Sequence, residues 1–403
     1  MIIKSIKDSN ILNYIIILYA FFIPLSLDLI RILALLIIIL WFVQGDVKSK
    51  IALIKKEPFF LSIVILLLIL FLSLLWTDSN NIIFGIKYIK RYWYILPMFA
   101  IYTSIDKKFI PITLSAFLAG MLISELVSYS IFFELIKIEG INHLSPSPFM
   151  QYTLYSVFLV LTTGIILNRM LTSESIELKT IYGIFFIVTT VNLFINPGRT
   201  GQFLFLFLLA SVLIGHYKVT LKSLFLTLSL LLIIPYLAFT YSPTFKKRMI
   251  HTYNSVTNFS SETTIGTRIT LNIVAKDIFL ENPIIGIGVG DYLIKKNEIL
   301  SQRYPKKIRT KGLVHYHNQY SEFAVIAGIL GLLSYIFIFI SLIKTKITDR
   351  RIHTIKYLLV TTIALASFTD AIFHLNQPLS LFALFAGLLL AQSRYERQSI
   401  NLS

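Results

Sequence analysis

The sequence predicts an all-α polytopic membrane protein with about twelve spanning helices and one large external loop domain. Three observations predict it. Of the residues, 56% are hydrophobic and only 14% charged, with a mean hydropathy of +0.77, a balance no water-soluble core absorbs. Apolar runs at 61–75, 203–214, 221–239 and 328–343 approach or reach the roughly 20 residues that cross about 30 Å of hydrocarbon. A single long segment, 242–316, is polar and rich in turn residues. The apolar runs are apolar on every face, whereas barrel strands would alternate with period two.

In chain order, spans are expected near 11–27, 29–44, 58–76, 91–105, 109–135, 150–168, 180–195, 200–217 and 220–241, which makes 1–241 a first membrane region. The loop domain follows over 242–316, and spans near 318–343, 355–372 and 376–392 make 317–403 the last region. Lys87, Lys90 and Arg91 lead into the fourth span and Pro97 interrupts it, so an amphipathic interfacial turn is expected there. The first apolar run has no small-residue cleavage site after it and passes through Pro24 and Asp28 into the next, unlike a signal peptide.

Lys and Arg of short loops are retained in the cytoplasm. Lys4 and Lys7, Lys48, Lys50, Lys55 and Lys56, Lys107 and Lys108, Arg169 and Lys179, Lys218 and Lys222, Lys344 through Lys356, and Arg394 and Arg397 fall on one side of the membrane. Both termini are therefore expected in the cytoplasm and 242–316 outside. That loop is itself basic, with Lys246, Lys247, Arg248, Arg268, Lys276, Lys295, Lys296, Arg303, Lys306, Lys307, Arg309 and Lys311 outnumbering Glu262, Asp277, Glu281, Asp291 and Glu298. Positive charge outside implies an anionic partner: lipid head groups, or a phosphate-bearing substrate arriving from the bilayer. Nucleic acid is not expected, given the expected outward location and the lack of a nucleic-acid-binding signature. Without cysteine, disulfides, thiolate catalysis and Cys-ligated metals are excluded.

Within the loop, apolar positions Ile269, Ile273, Ile278 and Phe279 predict one short helix over 268–281, ended by Asn282, Pro283 and Gly286. Three motifs carry chemistry. Asn196-Pro197-Gly198-Arg199-Thr200-Gly201 opens the eighth span, putting Arg199 at a helix N-terminus. Free N–H groups and the helix dipole favour an anion there, and a guanidinium adds bidentate phosphate geometry; the alternative is an interfacial anchor. Gly266-Thr267-Arg268 supplies a second candidate anion ligand, and the turn containing Gly286, Gly288 and Gly290 lets backbone approach the membrane region closely. It lacks the strand and helix of a dinucleotide site.

The third motif is His315-Tyr316-His317-Asn318-Gln319-Tyr320, leading into the tenth span. An imidazole suits a general base toward a hydroxyl; the alternative is an interfacial hydrogen-bonding side chain. On a helix, residues two apart diverge by about 200°, and no further ligand is spaced to complete a shell, so no metal is expected. Asp370, at the outer end of the eleventh span, is a candidate to orient His317 or hold an acceptor, and Glu125 is a carboxylate in an apolar run that needs a partner.

In this order and topology the motifs resemble the membrane glycan ligase and polymerase superfamily that includes O-antigen ligase. The features are Arg-Thr opening the eighth span, an Arg followed by Asn-Pro-x-x-Gly-x-Gly in the loop, and His-Asn-x-Tyr before Gly-Ile-Leu-Gly-Leu. The resemblance implies a membrane-embedded glycosyltransferase of GT-C-type architecture in the bacterial inner membrane, with its active face and the 242–316 loop periplasmic. The implied donor is an undecaprenyl-diphosphate-linked glycan and, for a ligase, the acceptor is lipid A-core oligosaccharide, with no metal, nucleotide or other cofactor. It assigns diphosphate binding to Arg199 and Arg268 and catalysis to His317, with His315, Asn318 and Asp370 as supporting candidates. A polymerase would share donor, arginines and mechanism, and a protein-directed glycan transferase of the same superfamily is the other enzyme alternative; a transporter or flippase would instead show inverted repeats and broken or charged helices near mid-membrane.

Overall fold

A computed structural model describes residues 10–217, 219–257, 263–303 and 313–400. Lys4, Lys7, Lys218, Glu262, Lys306, Lys307, Arg309 and Lys311, used in the charge pattern above, lie outside the described residues. Every interval expected to span the membrane contains helix. In chain order these are α1 (Ile11–Phe22), α2 (Leu27–Val43), α3 (Val47–Lys56), α4 (Pro58–Leu72), α5 (Ile82–Lys90), α6 (Leu96–Ser104), α7 (Phe109–Phe132), α8 (Tyr152–Thr172), α9 (Ile176–Ile195), α10 (Arg199–Tyr217) and α11 (Leu221–Tyr241). The loop holds α12 (Pro243–Thr257), α13 (Thr264–Glu281) and α14 (Tyr292–Arg303), and the chain continues as α15 (Gln319–Lys344), α16 (Arg350–Ala366) and α17 (Asn376–Ile400). Among the described residues there is no strand.

Seven of the described helices are long and apolar enough to cross a membrane, and eight if α2 and α3, bent by 112°, form one broken span. The other intervals hold helices shorter or less apolar than that. The fourth is not one helix: α5, carrying Lys87 and Lys90, runs through a 3-10 turn at Arg91–Ile95 into α6. Local chemistry sets several starts. Ser26 caps α2, Thr220 caps α11 through a reciprocal bond with Ser223, and Asp349 accepts from the N–H groups of Arg351 and Ile352 at the head of α16.

Helix α8 is the hub, buried continuously from Leu154 to Asn168, and α9, α10 and α16 pack around it. Glu125 of α7 finds its partner on α9, where Thr189 Oγ1 lies 3.0 and 3.1 Å from the two carboxylate oxygens. Helix α11 is different: only Ser223 and Thr227 are buried along it, and it packs mainly along α10.

The loop is more helical than its polarity predicts, with three described helices in place of the one expected over 268–281. The chain between α13 and α14 packs back onto α15. There α15 is broken: Ala327 and Gly328 leave helical geometry, Gly328 at φ +62°. The carbonyls freed at Val325 and Ile326 accept from the N–H groups of Ile287 and Gly288, both at 3.0 Å, and Ile329 N–H donates to Pro283 at 2.8 Å. Broken backbone is tolerated at membrane depth only where such partners exist. A Cβ on Gly286 would lie 2.5 Å from the Ala327 nitrogen, and one on Gly328 2.4 Å from the Ile284 carbonyl; only glycine permits this approach.

Candidate active site

Arg199 is the first residue of α10, because Pro197 and Gly198 cannot continue α9. The turn before it is pinned from inside: Asn196 Nδ2 donates to Asn192 Oδ1 at 2.9 Å, Ser147 Oγ donates to Asn196 Oδ1 at 2.9 Å, and Gln202 Nε2 donates to the Asn196 carbonyl at 2.8 Å. The Arg199 guanidinium donates to Thr252 Oγ1 at 2.9 Å, which ties α10 to the loop helix α12. The positive charges of Arg248 and Arg268 both act on Arg199, so three arginines from α10, α12 and α13 face one region. The Arg248 guanidinium also lies over the Tyr152 ring, 5.6 Å from its centroid.

Arg268 sits in the second turn of α13, which Thr263 caps through Gly266 N–H. Its Nε is buried and, among the described residues, has no hydrogen-bond partner. A buried guanidinium donor left open costs free energy unless something occupies it, and an anionic oxygen is the natural occupant. Arg268 also acts electrostatically on Asp370, so it stands between the arginine set and the histidines.

The His315–His317 segment is not helical, which corrects the expectation that the two rings diverge. Asn318 is the N-cap of α15, its Oδ1 accepting from Tyr320 and Ser321 N–H at 3.0 and 3.2 Å, so the residues before it form a turn. His317 occupies the left-handed region at φ +52°, an uncommon and mildly strained conformation for any residue but Gly. Its N–H donates to His315 Nδ1 at 3.1 Å, and the two rings meet edge to face at 4.2 Å. Both Nδ1 atoms face one Asp370 oxygen, at 3.6 Å for His315 and 3.4 Å for His317. Together the three side chains offer ligand atoms within 4.8 Å of one another, a spacing within reach of a divalent ion that two histidines on one helix would not have.

The two histidines are not equivalent. His315 is buried, and burial pushes its pKa down to about 4 against the pull of Asp370; its Nδ1 lone pair is already engaged. His317 is more open, with 23% of its side chain exposed against 11% for His315. Its Nδ1 is buried without a hydrogen-bond partner among the described residues, 3.4 Å from the Asp370 oxygen, and Nε2 is the nitrogen left for a substrate hydroxyl. Asp370 is held below its usual range: burial alone would raise its pKa, but the two histidines and Arg268 outweigh that.

Several side chains invisible to motif reading hold this arrangement. Asn272, one turn after Arg268, donates to the Arg268 carbonyl at 2.8 Å while its Oδ1 accepts from Asn318 Nδ2 at 2.8 Å and Ser321 Oγ at 2.6 Å. Thr200, beside Arg199, shares a 2.9 Å hydrogen bond with Thr369, beside Asp370. Glu322, fully buried on α15, accepts from Tyr88 OH at 2.9 Å, Tyr316 N–H at 3.3 Å and His374 Nδ1 at 3.0 Å. Arg91 contacts the other nitrogen of His374. Lys296, whose ammonium burial lowers to a pKa of about 8, donates to the Leu313 carbonyl at 2.7 Å.

The family model described as O-antigen ligase matches residues 184–336. That stretch contains Arg199, Arg248, Arg268, Asn272, His315, His317 and Glu322 and ends before Asp370 and His374. No curated protein matches the chain.

Proposed function

We propose, from the O-antigen ligase domain that residues 184–336 carry, that this chain transfers a glycan from undecaprenyl diphosphate to lipid A-core oligosaccharide on the periplasmic face, with inversion and without metal. What supports this reading most is the position of Arg268, coupled on one side to Arg199 and on the other to the Asp370–His317 pair. A diphosphate held by the arginines would thus present the anomeric carbon between its leaving oxygen and the imidazole.

In the reaction the acceptor hydroxyl oxygen bonds to the anomeric carbon from the face opposite the diphosphate. The bond from that carbon to the phosphate oxygen breaks, and its electron pair stays on the departing diphosphate. His317 Nε2 takes the hydroxyl proton, and Asp370, opposite Nδ1, stabilises the imidazolium that forms. Arg199, Arg268 and the N–H groups opening α10 meet the charge developing on the diphosphate. His315 sustains the strained turn through its Nδ1 rather than acting as base.

Purified enzyme, donor lipid and acceptor, assayed with and without EDTA, test this directly. Transfer is expected to survive chelation, to fall on the order of 10² to 10⁴-fold in His317→Ala, and to persist in large part in His315→Ala. Activity lost to EDTA and restored by a divalent ion would assign the His315, His317 and Asp370 cluster to a metal and overturn the mechanism. In cells, loss of a ligase leaves core free of O-antigen, while loss of a polymerase leaves core bearing a single repeat unit; the second pattern would reassign the acceptor.

A further inference from the structure

One apolar cavity flanking the site plays no part in the mechanism above. It is a groove of about 420 Å³ between α9 and α11, lined by Ile187, Val191, Phe194, Ile234, Leu237 and Ala238 among others. At its outer end both walls pass directly into a second, basic cavity of about 300 Å³, lined by Pro197, Pro243, Lys247, Arg248 and His251. Along one wall Ile195 of the groove is followed within two residues by Pro197 of the basic cavity; along the other, Ser242 is followed by Pro243. The junction is built rather than incidental. Ser242 Oγ donates to the Phe194 carbonyl at 2.8 Å, and the Phe194 and Phe245 rings pack edge to face at 5.2 Å.

The basic cavity leads on to the arginine set. Arg199 lies two residues beyond Pro197 and donates to Thr252, whose hydroxyl donates to the Arg248 carbonyl at 2.8 Å. An occupant of both cavities is therefore a hydrocarbon chain ending in a strongly anionic head. Arg248 and Arg268, both within electrostatic range of Arg199, match a diphosphate with it better than the single charge of a phosphodiester lipid.

We propose that the groove between α9 and α11 seats the first isoprenoid units of the donor's polyprenyl chain, with Lys247 and Arg248 at its outer end receiving the diphosphate. This rests on the functional reading above and specifies where its lipid donor lies. Phe186 to Phe194 rise about 12 Å along α9, so the groove holds only the part of the chain next to the head, and the rest stays among bilayer lipids.

The test uses purified full-length enzyme and two donors bearing the same glycan, one on undecaprenyl diphosphate and one on the diphosphate of a single isoprenoid unit. Ala238→Trp, which puts an indole into the groove, is expected to raise KM for the long-chain donor about tenfold, the factor carried by excluding two methylenes. Its kcat should be unchanged, and the KM of the short donor, whose one isoprenoid unit reaches only the outer end of the groove, should rise much less. Leu232→Trp on the same helix, 71% exposed, should change neither.

A wild-type measurement guards against a tryptophan variant that does not fold. A diazirine on the second isoprenoid unit of polyprenyl diphosphate should crosslink within 186–195 and 234–241, and excess unlabelled polyprenyl diphosphate, not phosphatidylglycerol, should compete. Wild-type KM for the long donor in Ala238→Trp, crosslinks elsewhere, or competition by phosphatidylglycerol would overturn the groove assignment while leaving glycan transfer intact. A wild-type enzyme that transfers nothing would instead overturn the functional reading, and the crosslink would still report on the groove.

Discussion

Replacing Glu322 by glutamine tests the idea that the reactive histidine is positioned from behind. The side chain is fully buried and accepts from Tyr88 OH, Tyr316 N–H and His374 Nδ1 at 2.9, 3.3 and 3.0 Å. Glutamine keeps one carbonyl oxygen and turns the other acceptor into a donor, so at least one of the three groups faces an N–H. An unsatisfied buried donor costs about 1–3 kcal/mol. A net loss of about 1–3 kcal/mol is expected, read as a lowered thermal midpoint of the detergent-purified protein. Tyr316 N–H is the hold next to His317, so its release should misplace the imidazole, and misplacement of about 1 Å costs roughly 10²-fold in rate. The fall should lie in kcat, with donor KM nearly unchanged, because no arginine is touched. Glu322→Gln with wild-type turnover and an unchanged thermal midpoint would refute the reasoning.

Asp370→Asn should lower kcat on the order of 10² to 10⁴-fold without changing membrane insertion, because an amide no longer stabilises an imidazolium or fixes its tautomer; near-normal single-turnover rates would count against the pair. For His315, whose folded pKa of about 4 lies below the unfolded value of about 6.5, the neutral form is the folded one. Its contribution is full above about pH 6.5 and is lost as pH falls toward 4, by about 3 kcal/mol in all; a His315→Gln variant should lack that part of the pH slope in thermal midpoint. Single cysteines in this cysteine-free chain should react with an impermeant reagent at Ser301 in α14 and not at Ser49 or Ser399, and the reverse pattern would invert the topology.

What could be read from sequence depended on how local its cause was. The start of α10 at Arg199 was legible because Pro197 and Gly198 end the preceding helix by their own backbone restrictions. The His315–His317 geometry was within reach and missed. Asn318 is an N-cap residue directly before an apolar run, so the histidines belong to the turn ahead of the helix and the helical divergence argument does not apply. Helices α12 and α14 were hidden because their exposed faces are charged, leaving no apolar stripe to count: α12 buries little beyond Phe245 and Ser255, and α14 buries Tyr292, Lys296, Ile299 and Leu300. Asn272 and the Glu322–His374–Arg91 chain were not legible at all. Each matters through partners tens to hundreds of residues away, and nothing in an isolated asparagine or glutamate encodes that.

The break in α15 explains why two distant halves of the chain make one site. An unbroken α15 would satisfy its own backbone and leave 283–288 free over the membrane surface. Because Gly328 interrupts it, the helix exposes carbonyls at Val325 and Ile326 that only that segment satisfies, through Ile287 and Gly288 N–H at 3.0 Å. Those bonds hold the end of α13 against the head of α15. Arg268 lies on α13 and His317 immediately precedes α15, and Asn272 joins the two helices between them, so the distance from diphosphate ligand to base is set by the same contact that repairs the broken helix. The loop is therefore an integral wall of the membrane domain rather than an appendage to it, and a change at Gly286 or Gly328 should act on turnover although neither touches substrate.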